Sequence, residues 1–224
     1  MFWNNMKNSI LSSLYIVILI SCSSVDTNRI APAYKDTFKA INNAVFGHED
    51  TNISPEIIYN IPYASSFIKI GKGPQALMIL ESNSIEGFTW LTADGVYIVI
   101  QNGRIVRTKG LINNLTSLVV PFHMDDYLAL QHADNIFYYS YDVPYLSNLK
   151  VKSKFSVKEK ELVELFDRQV SLTLVEELIQ NDYLGWSAKN KYWVDDNNFV
   201  WKSEQTISPK LPKIYMEITK KPSL

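Results

Sequence analysis

The sequence predicts a mainly β chain, an antiparallel β-sandwich or half-open barrel of meandering hairpins with one N-terminal amphipathic helix. Three observations carry this. From Tyr63 onward apolar and polar residues alternate with period two. Asp94-Gly95 and Asn102-Gly103 sit between such segments, and Asn, Asp and Gly tolerate the positive φ that two-residue hairpin turns need. The 13 Tyr, 10 Phe and 5 Trp make the chain rich in residues that suit a pleated, half-buried surface.

The elements follow in order. Tyr34, Phe38, Ile41 and Val45 recur at helical spacing between Ala33 and Phe46, which places the amphipathic helix there, covering one end of the sheet. Ser66–Ile70, Gln75–Glu81, Phe88–Thr92, Val96–Gln101 and Arg104–Lys109 read as strands of a meander. Leu111 to Val120, followed by Pro121, fits a helical turn or a strand. Asn135–Tyr141, Leu149–Val157, Glu161–Gln169 and Val170–Gln180 supply a second set of strands. Glu161 and Glu164, like Leu162 and Leu165, stand three apart, so a helix over 159–166 is the competing reading of the third of these. Lys191–Val194, the turn Asp195-Asp196-Asn197-Asn198 and Phe199–Gln205 form a hairpin. The last strand, Ile214–Thr219, follows Pro209 and Pro212 and is expected at a sheet edge, where proline is tolerated.

The first 21 residues have another purpose. Lys7, the apolar run Ile10–Ile20 and small Ser21 reproduce the layout of a secretory signal, and Leu19-Ile20-Ser21-Cys22 is the lipobox of a bacterial lipoprotein. The apolar run is shorter than the roughly 20 residues a membrane-spanning helix needs, so cleavage before Cys22 is expected. The charge pattern suits a start at Met6 better than at Met1. Cys22 is the only cysteine and supplies the thiol that accepts diacylglycerol, as no other side chain here can. Two or three acyl chains, palmitate among them, on one residue give a durable anchor. Residues 1–21 are thus expected to be a signal peptide, 22–32 a lipidated tether, and 33–224 a single β-rich periplasmic domain. Ser23 rather than Asp follows Cys22, and by analogy with the enteric sorting rule this points to the outer membrane.

Composition excludes some partners. With 22 basic and 23 acidic residues the chain lacks the concentrated positive face that nucleic acid requires. Catalytic signatures are equally thin: no Gly-x-Ser-x-Gly elbow exists, and Cys22 is used by lipid. His123-Met124-Asp125-Asp126 and His132-Ala133-Asp134 place imidazoles beside carboxylates, but the spacing fits no standard zinc pattern, and no metal or other cofactor is expected. Tyr138, Tyr139, Tyr141 and Tyr145, or Trp186, Tyr192 and Trp201, carry ring faces that could stack on sugars. Strand aromatics such as Trp193 and Trp201 more often fill a core.

Several short motifs follow one another in a set order: Ile61-Pro62-Tyr63-Ala64-Ser65-Ser66 leading into Phe67-Ile68-Lys69-Ile70, then Trp90-Leu91 with Asp94 and Gln101-Asn102-Gly103-Arg104, and at the end Tyr192-Trp193-Val194-Asp195, Val200, Ser203-Glu204-Gln205, Glu217 and Lys221-Pro222. Their order resembles that of the YjbF/GfcB lipoproteins, associated with group 4 capsule and related exopolysaccharide clusters. Where the family usually has Gly in the hairpin after Trp-Val-Asp, this chain has Asn197-Asn198, which also tolerates left-handed backbone. The resemblance implies an all-β lipoprotein that assists polysaccharide secretion without being an enzyme, with polysaccharide-export proteins as partners. It brings no catalytic residues. Two other readings stay open: a carrier holding a lipid or lipoprotein acyl chain between a curved sheet and the helix at 33–46, and a glycan-modifying enzyme, which would need convergent carboxylates.

Overall fold

The computed structural model describes residues 53–119, 130 and 135–222. They form one antiparallel sheet of twelve strands in the order β5-β4-β3-β2-β1-β12-β11-β10-β9-β8-β7-β6. A short helix α1 (Pro55–Asn60) precedes it, with proline in its first turn, where no intrahelical N–H is lost, and Ile58 buried beneath it. The meander β1 (Ser65–Ile70), β2 (Ala76–Ser84), β3 (Gly87–Thr92), β4 (Tyr97–Gln101) and β5 (Arg104–Lys109) falls where alternation places it. The β4–β5 turn is of the expected kind, with Asn102 at φ 48° and Gly103 at φ 77°.

The ambiguous stretch after residue 110 is a turn followed by strand β6 (Leu115–Val119). Then come β7 (Asn135–Tyr141), β8 (Leu146–Leu165), β9 (Arg168–Asn181), β10 (Trp186–Val194), β11 (Val200–Gln205) and β12 (Ile214–Lys220). The expected helix at 33–46 lies outside the described residues.

Three expectations are corrected. Leu149–Val157 and the stretch from Glu161 to Leu165 are not two strands but parts of the single long β8, whose pairing with β9 slips between Val157 and Lys160, while Arg168 and Gln169 already open β9. The one extra residue of that bulge shifts the phase of the alternation, which is why the pattern looks broken. The same finding removes the helix over 159–166: Glu161 and Leu162 pair with Leu172 and Ser171, so cross-strand bonds override the helical spacing. Finally, β12 is not at an edge. It pairs with β1 on one side and β11 on the other, at the centre of the sheet. Pro209 and Pro212 lie in the preceding connection, where their missing N–H groups cost no ladder bond.

The sheet curls into a nearly closed barrel. Its end strands β5 and β6 meet where the Leu115 N–H donates to Thr108 Oγ1 at 3.0 Å, and the turn between them is held by the Leu111 N–H donating to Asn114 Oδ1 at 2.9 Å. The interior is a continuous core that includes Trp90, Ile98, Ile105, Phe137, Ile179 and Ile214. One end is closed by the 206–213 connection, where the Tyr141 hydroxyl donates to the Ile207 carbonyl at 2.6 Å and Ser208 bonds Asn113.

Part of the sheet is covered on its outer face too. Successive strand residues point to opposite faces, yet Phe67 and Ile68 are both buried, as are Tyr192 and Trp193. The cover is the tip of the β8–β9 hairpin, which overshoots the end of β10 and lies across its neighbours. There Val163, Leu165 and Leu172 pack with Trp193 in a second small core, and Phe166 meets Phe67 edge-on at 5.0 Å. The Phe166 N–H donates to Glu217 Oε1 at 2.5 Å, and the Tyr59 hydroxyl bonds Asp167.

Candidate functional site

Two features of the barrel stand out. The first is a buried ion pair. Arg104 opens β5 with its side chain directed into the barrel, and Glu177 occupies an inward position of β9 between Val175 and Ile179; the two are 2% and 0% exposed. Arg104 Nη2 bonds Glu177 Oε1, which also accepts from Ser153 Oγ at 2.5 Å. Glu177 Oε2 accepts from Asn190 Nδ2 at 3.0 Å and from the Tyr192 hydroxyl at 2.9 Å. Arg104 Nη1 donates to the Tyr139 hydroxyl at 2.9 Å, and its guanidinium lies 4.3 Å over the Phe137 ring centroid.

Burial works to lower the proton affinity of Arg104, but Glu177 and the neighbouring hydroxyls outweigh it and hold the guanidinium firmly charged. Burial pushes the Tyr139 phenol up to about 12, against the opposing pull of Arg104. Burying two charges is costly unless the geometry is good and the remaining lone pairs are filled. Here every Glu177 oxygen accepts at least two bonds. A carboxylate so committed, with no open face, ties five strands together.

The second feature is a cleft of about 460 Å³ at the end of the barrel opposite the 206–213 connection. It opens between the Asn102-Gly103 turn and the Asn197-Asn198 turn, with Phe88, Ile100, Met216 and Ile218 among its apolar lining. Both turns depend on left-handed backbone, with Asn198 at φ 59° in the place where asparagine was expected to substitute for glycine. Gly103 is required for a further reason: a Cβ there would stand 2.1 Å from Val200 Cγ2.

One wall of the cleft is aromatic. Phe199 and Trp201 meet edge-on at 5.1 Å, and Lys221 Nζ lies 4.2 Å over the Phe199 ring. Asp195 organises this wall. Its Oδ1 accepts the N–H groups of Asn197 at 2.9 Å and Phe199 at 3.0 Å, and its Oδ2 accepts Trp201 Nε1 at 3.0 Å.

The residues singled out from sequence do not converge. Tyr139, Tyr141 and Tyr192 are buried in the core, and Trp193 in the outer cluster. Tyr138 is partly exposed at 37% and Tyr145 largely so at 81%, while Trp186 packs against the core. Only Trp201 lines the cleft. Cys22, His123, Asp125, Asp126, His132 and Asp134 lie outside the described residues.

Sequence reasoning named Arg104 and Lys221 only as parts of family motifs, without a role, and missed Glu177. Arg104 and Glu177 had a further signal, a charge on the apolar side of an alternating strand.

A side-chain-filled, nearly closed barrel with a polar pin inside and a cleft at one end defines a class of compact all-β domain. The particular family follows from comparison. The sequence model of the family described as "Group 4 capsule polysaccharide lipoprotein gfcB, YjbF" matches residues 38–219, and the chain belongs to that family.

The chain is 25% identical over 200 residues to the uncharacterized lipoprotein YjbF of Escherichia coli (strain K12), spanning 86% of this chain and 88% of that one. To the uncharacterized lipoprotein GfcB of the same organism it is 22% identical over 193 residues, spanning 83% and 85%. In three dimensions it is similar to the crystal structure of the hypothetical lipoprotein YmcC from Escherichia coli (K12), with TM-score 0.64 and 22% identity, covering 84% of this chain and 96% of that one. This likeness establishes a shared fold.

Proposed function

We propose that this protein is an outer-membrane lipoprotein, acylated on Cys22, whose β-barrel domain faces the periplasm and serves as a non-enzymatic accessory or assembly factor in capsule or exopolysaccharide secretion. The observation that carries the reading is family membership over residues 38–219 in a chain with a lipobox at Leu19–Cys22. The interior supports it: among the described residues both oxygens of the buried Glu177 carboxylate are taken up by the barrel's own donors, and no carboxylate lines the cleft. Glycoside chemistry would need two carboxyl groups facing each other across an open site.

The carrier alternative, an acyl chain between the sheet and the helix at 33–46, turns on a segment outside the described residues; the barrel interior itself is filled by side chains such as Phe137, Tyr139, Arg104 and Glu177.

The test is genetic and chemical together. Deleting the gene should lower surface polysaccharide under conditions in which the cluster is expressed, and a Cys22→Ala form, released from the membrane, should fail to restore it. Unchanged polysaccharide in the deletion strain would refute the role.

A further inference from the structure

Resting on that reading, we propose that the cleft between the two turn tips is a binding site for a carboxylate-bearing sugar of an acidic polysaccharide, with Lys221 as the group that reads the carboxylate. Three observations converge. The cleft, at about 460 Å³, is of the size that takes a small ligand unit. Among the described residues its lining includes Lys202 and Lys221 and no Asp or Glu, and the Asp195 carboxylate paired with Lys221 at 3.9 Å is already engaged by Trp201 and the turn. Its chemistry is mixed in the way a sugar ring is mixed: apolar floor and aromatic wall for the C–H face, and Asn102, Asn197 and Asn198, whose amides both donate and accept, for hydroxyls.

The two lysines are not equivalent. The Lys202 ammonium is turned away, donating to the Glu164 carbonyl at 3.4 Å with Glu217 at 3.7 Å, so only its stem faces the cleft. Lys221 is 34% exposed and stands 3.9 Å from Asp195 Oδ2, beyond hydrogen-bond reach of a carboxylate already serving Trp201 and the turn. Its ammonium retains donors to offer an anion at the mouth. An acyl chain would satisfy the floor but would offer no charge to the Lys221 ammonium.

The experiment uses full-length lipidated protein in detergent and, as probe, oligosaccharides cut from the producing cells' own surface polysaccharide. A second sample of the same oligosaccharides has its carboxyl groups chemically reduced to alcohols. Titration calorimetry should show saturable binding of the native probe and a loss of roughly tenfold or more after reduction, the magnitude of one charge-assisted hydrogen bond. Lys221→Gln should lose a similar factor with an unchanged thermal midpoint, and Lys221→Arg should recover binding to within a few-fold. Equal binding of the two probes, equal binding by Lys221→Gln, or displacement of the probe by a fatty acid would each overturn the proposal. If deletion lowers surface polysaccharide while Lys221→Gln binds the probe as the parent does, the cleft assignment falls and the accessory role stands.

Discussion

Arg104 and Glu177 show how a single pair of side chains can specify which strands of a barrel face each other. They come from β5 and β9, and their partners Tyr139, Ser153 and Tyr192 come from β7, β8 and β10, so one network spans the interior. Breaking a buried pair is far more costly than never having made it, because the survivor remains charged and dry. Arg104→Met should therefore destabilise the fold by about 3–5 kcal/mol in denaturant unfolding, with Glu177→Gln also destabilising. The double variant should lose less than the sum, since both changes remove the same interaction. Strict additivity in that cycle would show that the pair is not coupled. The Arg104 Nε finds no acceptor among the described residues, which marks the network as not fully optimised for stability.

At the level of elements, the long β8–β9 hairpin has two roles along its length. Its inner half, up to Thr173, pairs with β10 and belongs to the barrel; its tip pairs only with itself and lies over the outer face of the central strands. That explains why Phe67 and Ile68, or Tyr192 and Trp193, are buried in succession: the strands beneath the tip have no solvated face. Leu172, fully buried in the small outer core, is the tip's main apolar contact beside Trp193. Leu172→Ala should cost about 2–5 kcal/mol. Hydrogen exchange should then quicken at 160–172 while 174–181 stays protected, because the tip opens as a local unit. Uniform quickening along both halves would mean that tip and barrel unfold together.

For the whole molecule, the barrel is held shut by side chains at its seam and by the 206–213 connection at one end. Phenols buried in that interior give the fold a pH limit. Burial raises the Tyr139 phenol from its ordinary 10.0 to about 12 and raises Tyr141 further, the latter with Tyr139 adding to the effect. A raised folded-state value means that the native protein holds these protons where the unfolded chain would release them. Their contribution is thus fully present below about pH 10 and is lost as pH rises from there through about 12. Denaturant midpoints should be flat in this respect up to pH 10 and fall steeply above it. Tyr141→Phe, which also removes the bond to the Ile207 carbonyl, should lessen the steepness while lowering stability at neutral pH.

Much of the architecture is legible in local pattern. Alternation around Phe67, Trp90 and Val106 marks strands, and Asn102-Gly103 and Asn197-Asn198 mark turns, because side-chain direction and backbone φ are decided within a few residues. The family motifs are equally local, and they are enough to place the chain in its lipoprotein family. Tertiary structure decided what depends on pairing over long distances. Whether β12 is an edge or a centre turns on its meeting β1, some 150 residues earlier in the chain, for example at Phe67 and Glu217. The helical spacing at Glu161–Leu165 gave way to cross-strand bonds with 168–172. The cleft exists only because Lys221, Trp201 and the Asn102-Gly103 turn are brought to one end of a closed sheet. A period of two records which way a side chain points from its own strand, whereas closure of the barrel determines what it meets there.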